Sequence, residues 1–111
     1  MELYIKRKFC AAHKLEGYKG KCANLHGHTF LVEVWIKGEI DPKTNMVMDF
    51  KEVKDIIDQY DHKYLNELPD FRHFQPTAEA IAVRIYAKLP FSSIARVRVW
   101  ESDDCSAEVG G

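Results

Sequence analysis

No stretch of this 111-residue chain stays apolar long enough to span a bilayer, which takes about 20 such residues. Basic residues are not in surplus either. Lys and Arg together number 16 and Asp and Glu 17, for a formal net charge of −1. A protein that grips a phosphate backbone needs a basic excess, so a nucleic-acid role has no electrostatic support. The opening residues, Met1 to Lys8, lack the apolar run of an export signal. Cysteine is sparse and odd in number, at three, which argues for free thiols in a reducing compartment rather than a disulfide framework. Internal repeats, low-complexity tracts and linkers are absent. These features describe one cytoplasmic domain over residues 1–111, with neither membrane nor nucleic acid as partner.

What the chain does have is a dense cluster of donor side chains in Cys22-Ala23-Asn24-Leu25-His26-Gly27-His28. The residues after it, Thr29 to Lys37, alternate as a strand, with Phe30, Val32, Val34 and Ile36 on one face. Carried backward, that register puts His26 and His28 on the same apolar face, with Gly27 leaving room on the other for a close approach of another segment. Two imidazoles there are costly unless their nitrogens are satisfied. A divalent metal does this, and neutral imidazole is its commonest ligand. The plainer alternative is a polar strand entry with both rings hydrogen-bonded to backbone.

A third histidine favours the metal. Residues 3 to 13 also alternate, and His13 closes the face of Ile5, Phe9 and Ala11, with Arg7 interrupting it. If the two strands pair antiparallel, His13 meets His26 and His28 at one end of the sheet. Three nitrogen ligands with one open position is the pattern of a catalytic zinc. Cys22 then has two readings: a fourth ligand that closes the site, or an acid, base or nucleophile near it, with Lys21 and the metal favouring its thiolate. Cys10 and Cys105 read as unreactive.

The rest of the chain reads as two helices and further strands. Met46 to Met48 suggests a short strand. Asp49 caps a helix with Glu52 three residues on, and Phe50, Val53, Ile56, Ile57 and Tyr60 form its apolar stripe. Asp61-His62 follows; a carboxylate can orient an imidazole for proton transfer, although adjacent residues at a helix end are more often plain polar surface. Pro69 to Phe74 reads as a loop, and His73 in it has no partner in sequence. Thr77 caps a second helix whose stripe is Ala78, Ile81, Ala82, Ile85 and Leu89, stopped by Pro90. Ile94 to Trp100 is a strand, and Glu101 continues the face of Val97 and Val99, where a carboxylate is costly unless it serves a ligand or lines a cavity. Residues 105 to 109 make a short final strand, and Gly110-Gly111 is expected to fray.

Taken in order, Phe9-Cys10-Ala11-Ala12-His13-Lys14-Leu15, Lys21-Cys22, Leu25-His26-Gly27-His28, Met46-Val47-Met48-Asp49-Phe50, Asp61-His62 with Leu65-Asn66, Pro76-Thr77-Ala78-Glu79 and Val97-Arg98-Val99-Trp100-Glu101 span nearly the whole chain. Jointly they resemble the 6-pyruvoyltetrahydropterin synthase / 6-carboxytetrahydropterin synthase family. The resemblance implies an α+β tunnelling fold: a four-stranded antiparallel sheet with two helices on one face, and sheets joined into a barrel in a trimer, with two trimers stacked as a hexamer. It implies zinc on His13, His26 and His28. It gives proton transfer to Cys22, Asp61 and His62, the last two from a neighbouring subunit. It has Glu101 gripping the pterin ring, with Thr77 and Glu79 in support.

The three residues between Cys22 and His26 resemble the 6-carboxytetrahydropterin synthases of the 7-deazaguanine (queuosine) route, whereas the pyruvoyl enzymes usually place five there. The activity implied is conversion of 7,8-dihydroneopterin triphosphate to 6-carboxy-5,6,7,8-tetrahydropterin, releasing acetaldehyde and triphosphate, with no nicotinamide. The alternatives are 6-pyruvoyltetrahydropterin synthesis, a retro-aldol on dihydroneopterin, or, from another class, a zinc-stabilised pterin-binding module without turnover. A module of that kind would have lost Cys22, Asp61 or His62, and all three are present.

Overall fold

Side-chain alternation carries both long strands. The computed structural model describes residues 1–17, 20, 23–90 and 94–111. Strand β1 spans Glu2–His13 and β2 spans His26–Lys37. They pair antiparallel in one unbroken register, from Glu2 opposite Lys37 to His13 opposite His26. On β1, Ile5, Phe9, Ala11 and His13 are buried, and on β2 so are Phe30, Val32, Val34 and Ile36, while residues between them are exposed or half-buried. A period of two with one face covered is what fixes such a register, because a one-residue slip would turn every apolar group to water.

Helix α1 (Phe50–Asp58) begins where the Asp49 carboxylate accepts from the Lys51 N–H. Its inward residues Val53 and Ile57 are fully buried, as is Tyr60 just beyond it, whereas Phe50 lies exposed. Helix α2 (Ala78–Lys88) is capped by the Thr77 hydroxyl, which accepts from the Ala80 N–H. Ala78, Ile81, Ala82, Ile85 and Leu89 are all buried, as the stripe predicts. Strand β3 is the two-residue piece Lys63–Tyr64, β4 spans Ile94–Ser102 and β5 spans Cys105–Gly110.

The sheet order is β3-β1-β2-β4-β5. The four main strands are antiparallel neighbours, and β3 adds a parallel pairing on the outer edge of β1. Both helices cover the same face, and their apolar stripes join the inward strand residues in a single core. Each fully buried Val, Ile or Phe contributes roughly 1.5–3 kcal/mol of transfer free energy. Arg7, the interruption in the β1 face, reaches Asp58 at the end of α1 through Nε at 2.9 Å and Nη2 at 2.8 Å.

Four local expectations change. Met46 to Met48 forms no strand: the Asp41 N–H donates to the Met46 carbonyl and the Asn45 N–H to the Asp41 carbonyl, closing a turn, while Val47 and Met48 pack on the core margin. Pro69–Phe71 is a short 3₁₀ turn, not loop, with Phe71 buried. Gly27 allows no unusually close approach, since a Cβ there would meet only the Ala11 carbonyl at an ordinary 3.5 Å. Gly110 is not frayed. It pairs with Arg96 in β5 at φ +104°, and a Cβ on it would stand 2.3 Å from the Ala95 carbonyl oxygen.

Candidate metal centre

The antiparallel pairing brings His13 opposite His26, with His28 two residues further along the same face of β2. The three imidazoles offer ligand atoms that all lie within 4.8 Å of one another. His13 is fully buried and the other two are half-buried. Ring centroids are 4.5 Å apart for His13 and His26, 5.1 Å for His13 and His28, and 4.8 Å for His26 and His28.

Their tautomers follow from their backbone partners. His13 Nδ1 is 2.7 Å from the Pro76 carbonyl oxygen, and His26 Nδ1 is 2.7 Å from the Asn24 carbonyl oxygen. A carbonyl oxygen only accepts, so each Nδ1 carries the proton and each neutral ring turns the lone pair of Nε2 away from that carbonyl. This is the orientation that ligating histidines receive from an outer carbonyl. His13 Nε2 and His28 Nε2 are buried and make no hydrogen bond. Two buried ring nitrogens without partners are costly, and a divalent cation among the three rings would satisfy them. The residues therefore fit a metal ion. Burial, with the neighbouring rings adding to it, holds the His28 imidazolium pKa below its ordinary value against the opposing pull of Glu101, which favours the neutral form that ligates.

Glu101 lies in the same cluster. Its Oε1 is 3.5 Å from His13 Nε2 and 3.5 Å from His28 Nε2. Sequence puts Glu101 at the end of a core face, and the structure adds that this face ends at the imidazoles.

Asp61 and His62 contact a different part of β1. The Cys10 N–H donates to Asp61 Oδ1 at 2.8 Å, and the His62 N–H donates to the Cys10 carbonyl at 2.6 Å. His62 adopts φ +57°, a left-handed conformation that a non-glycine residue holds only when its surroundings impose it. Its Nε2 is 3.5 Å from Asp61 Oδ2, and its side chain is 83% exposed. Cys10 precedes His13 by three residues, roughly 10 Å of strand, and its side chain points to the opposite face. Among the described residues, Asp61 and His62 are bonded to the Cys10 backbone and to each other, not to His13, His26 or His28. His62 and His28 nevertheless line one cleft of about 610 Å³, together with Cys10, Thr29 and Tyr64.

Thr77 and Glu79 line a separate cleft of about 410 Å³ with Phe74, Val83 and Arg84. Thr77 also follows directly on Pro76, whose carbonyl orients His13. Cys22 and Lys21 fall outside the described residues. Cys10 and Cys105 are exposed free thiols. Sequence reasoning did not find the orienting carbonyls of Asn24 and Pro76, nor the backbone of Cys10 as the anchor of Asp61 and His62; backbone groups leave no residue-type signal.

The sequence profile of the family described as 6-pyruvoyl tetrahydropterin synthase matches residues 2–111. The chain belongs to that family. Full-length likeness accompanies the match. A protein of Archaeoglobus fulgidus, provisionally named 6-carboxy-5,6,7,8-tetrahydropterin synthase, is 40% identical, with 98% of this chain and 95% of that one covered. The Pyrococcus furiosus dihydroneopterin monophosphate aldolase is 36% identical over 96% and 95%. The structure of Caenorhabditis elegans 6-pyruvoyl tetrahydropterin synthase superposes with a TM-score of 0.81 at 26% identity, covering 100% of this chain and 95% of that one. The pterin synthase family thus fixes the α+β tunnelling fold and makes the chain a lyase-type enzyme. No helix among the described residues is long and apolar enough to cross a membrane.

Proposed function

We propose that this enzyme converts 7,8-dihydroneopterin triphosphate and one water to 6-carboxy-5,6,7,8-tetrahydropterin, releasing triphosphate and acetaldehyde, the water supplying the second carboxylate oxygen. The observation that carries the reading is the convergence of the His13, His26 and His28 ligand atoms, with the buried Nε2 atoms of His13 and His28 left without a hydrogen bond. These residues would hold zinc, which when bound supplies a Lewis acid that acidifies the C–H and O–H groups of the substrate side chain. The Cys22 thiolate moves one proton, and His62, oriented by Asp61, moves the other. Glu101 accepts from the N–H edge of the pterin ring, with Thr77 and Glu79 in support. The ring gains the two electrons that the side chain loses, so no external redox cofactor is needed. The product assignment draws on the Cys22-to-His26 spacing and on the name of the Archaeoglobus relative.

The active site we infer is shared between subunits of a trimer, singly or stacked as a hexamer. Asp61 and His62 sit at the β1 edge, bonded to the Cys10 backbone rather than to their own chain's imidazoles, with His62 open to solvent. The sheet also ends in β5, whose outer side has no partner strand among the described residues. Edges of this kind are covered when sheets join into a closed barrel.

Incubating the purified protein with dihydroneopterin triphosphate and identifying the products tests the reaction. Acetaldehyde with the 6-carboxy pterin, lost on chelation and restored by zinc, is the expected result. A 6-pyruvoyl product would instead support the biopterin alternative. Cleavage of dihydroneopterin or its monophosphate without triphosphate release would support the aldolase named in Pyrococcus.

A further inference from the structure

Glu101 sits where β4 departs from regular pairing. Trp100 faces Ser106 of β5 and Ser102 faces Cys105, so the ladder shifts at Glu101 itself. On its other side, β4 stops pairing with β2 at Trp100. A bulge bends its strand and sharpens the local twist. Beside it Glu101, on the face of Val97 and Val99, has Oε1 at 3.5 Å from both His13 Nε2 and His28 Nε2.

That contact is unfavourable as it stands. In a ligating, neutral His13 the Nδ1 proton goes to the Pro76 carbonyl, which leaves Nε2 as a lone pair. A carboxylate oxygen is also an acceptor. A proton shared between the oxygen and either ring would draw that pair to about 2.7–2.9 Å, and neither distance is so short. The equal, longer separations match something else. Donor atoms about 2.0–2.1 Å from one tetrahedral ion lie roughly 3.4 Å from each other. Three neutral imidazoles leave the charge of a dication uncompensated, and one carboxylate offsets half of it.

We propose that Glu101 is an anionic fourth donor to the metal held by His13, His26 and His28 in the substrate-free protein, and that it leaves this position when substrate enters. The inference rests on the metal site of the preceding subsection and adds a resting state to it. The same carboxylate would then be released to the pterin N–H edge as a substrate oxygen takes its place. Glu101 thereby couples recognition of the ring to opening of the metal.

Zinc affinity of the substrate-free protein, measured by competition with a chromophoric chelator, tests this without any turnover. Removing groups that only orient ligands costs about 10–100-fold in affinity, so Glu101→Gln should weaken zinc binding by at least about tenfold. A crystal structure of the wild-type zinc form, free of pterin, should show a Glu101 oxygen at about 2.0–2.2 Å from the ion. That measurement decides the matter even if the variant folds poorly. Unchanged zinc affinity in Glu101→Gln, or a water in the fourth position with the carboxylate withdrawn, overturns the proposal and leaves the three-histidine site and its reaction intact. Failure of the wild type to bind zinc at all would remove the metal reading, and this inference with it.

Discussion

His13, His26 and His28 were legible because each ends an apolar strand face where an imidazole has no reason to be unless it serves a purpose. Their tautomers were not, since Pro76 and Asn24 act through carbonyls that any residue carries. Glu101 was legible as an ionisable end to a core face, but its place beside two imidazoles depends on how β4, β2 and β1 line up in the sheet. Gly110 was misjudged for a related reason. A glycine near a chain end looks frayed in sequence, whereas its need for φ +104° and for the space beside Ala95 exists only once β5 is paired. Gly110→Ala should therefore destabilise the fold by about 1–3 kcal/mol through overpacking in a disfavoured conformation. A lowered urea midpoint with an unchanged slope checks it, and a midpoint equal to the wild type would mean that the β5 end yields without cost.

Strands and helices were readable from their periods, two and 3.6, because burial on one face dictates both. Met46 to Met48 misled because short apolar runs carry no period long enough to separate strand from turn. Nothing in sequence announced how the exit of α1 and the end of α2 are tied together. Tyr60, at the exit of α1, donates to Asp70 at 2.5 Å, and Lys88 of α2 pairs with the same carboxylate and donates to Gln59 Oε1 at 2.9 Å. Burial alone would raise the Asp70 pKa, but the hydrogen bonds from Lys88 and Tyr60 outweigh it and hold it below the ordinary carboxylate value. A depressed carboxylate stabilises the fold above its unfolded pKa of about 3.9, and that contribution fades as pH falls through the lower folded value. Asp70→Asn should cost about 1–2 kcal/mol at neutral pH, allowing for the partial exposure of Lys88, and should flatten the acid side of the stability profile below about pH 4. Denaturation curves across that range would reveal either outcome; a parallel offset at every pH would assign the loss to packing rather than charge.

For the whole molecule, the tunnelling fold was legible through the joint order of its motifs, while the tie of Asp61 and His62 to the Cys10 backbone at the β1 edge needed the sheet. Subunits carrying Cys22→Ala mixed with subunits carrying His62→Ala test the shared site. Each parent should fold yet lose about 100- to 10,000-fold in turnover, as removal of a proton-transfer group does. Hybrid oligomers should recover activity at sites where intact groups from two chains meet. Verified hybrids without recovery would return all the groups to one subunit. The unbroken pairing of β1 with β2 has one more outcome, for the kinds of genetic change this protein can survive. Cys10 anchors Asp61 and His62, and His13 stands three positions later on the opposite face, so the intervening pair Ala11-Ala12 acts as a spacer of fixed parity. Exposed side chains such as Lys6 and Lys8 are free to drift by substitution. A single codon lost between Cys10 and His13 would turn the histidine outward and draw it nearer its own Asp61, so in this segment the count of residues is under tighter selection than their identity.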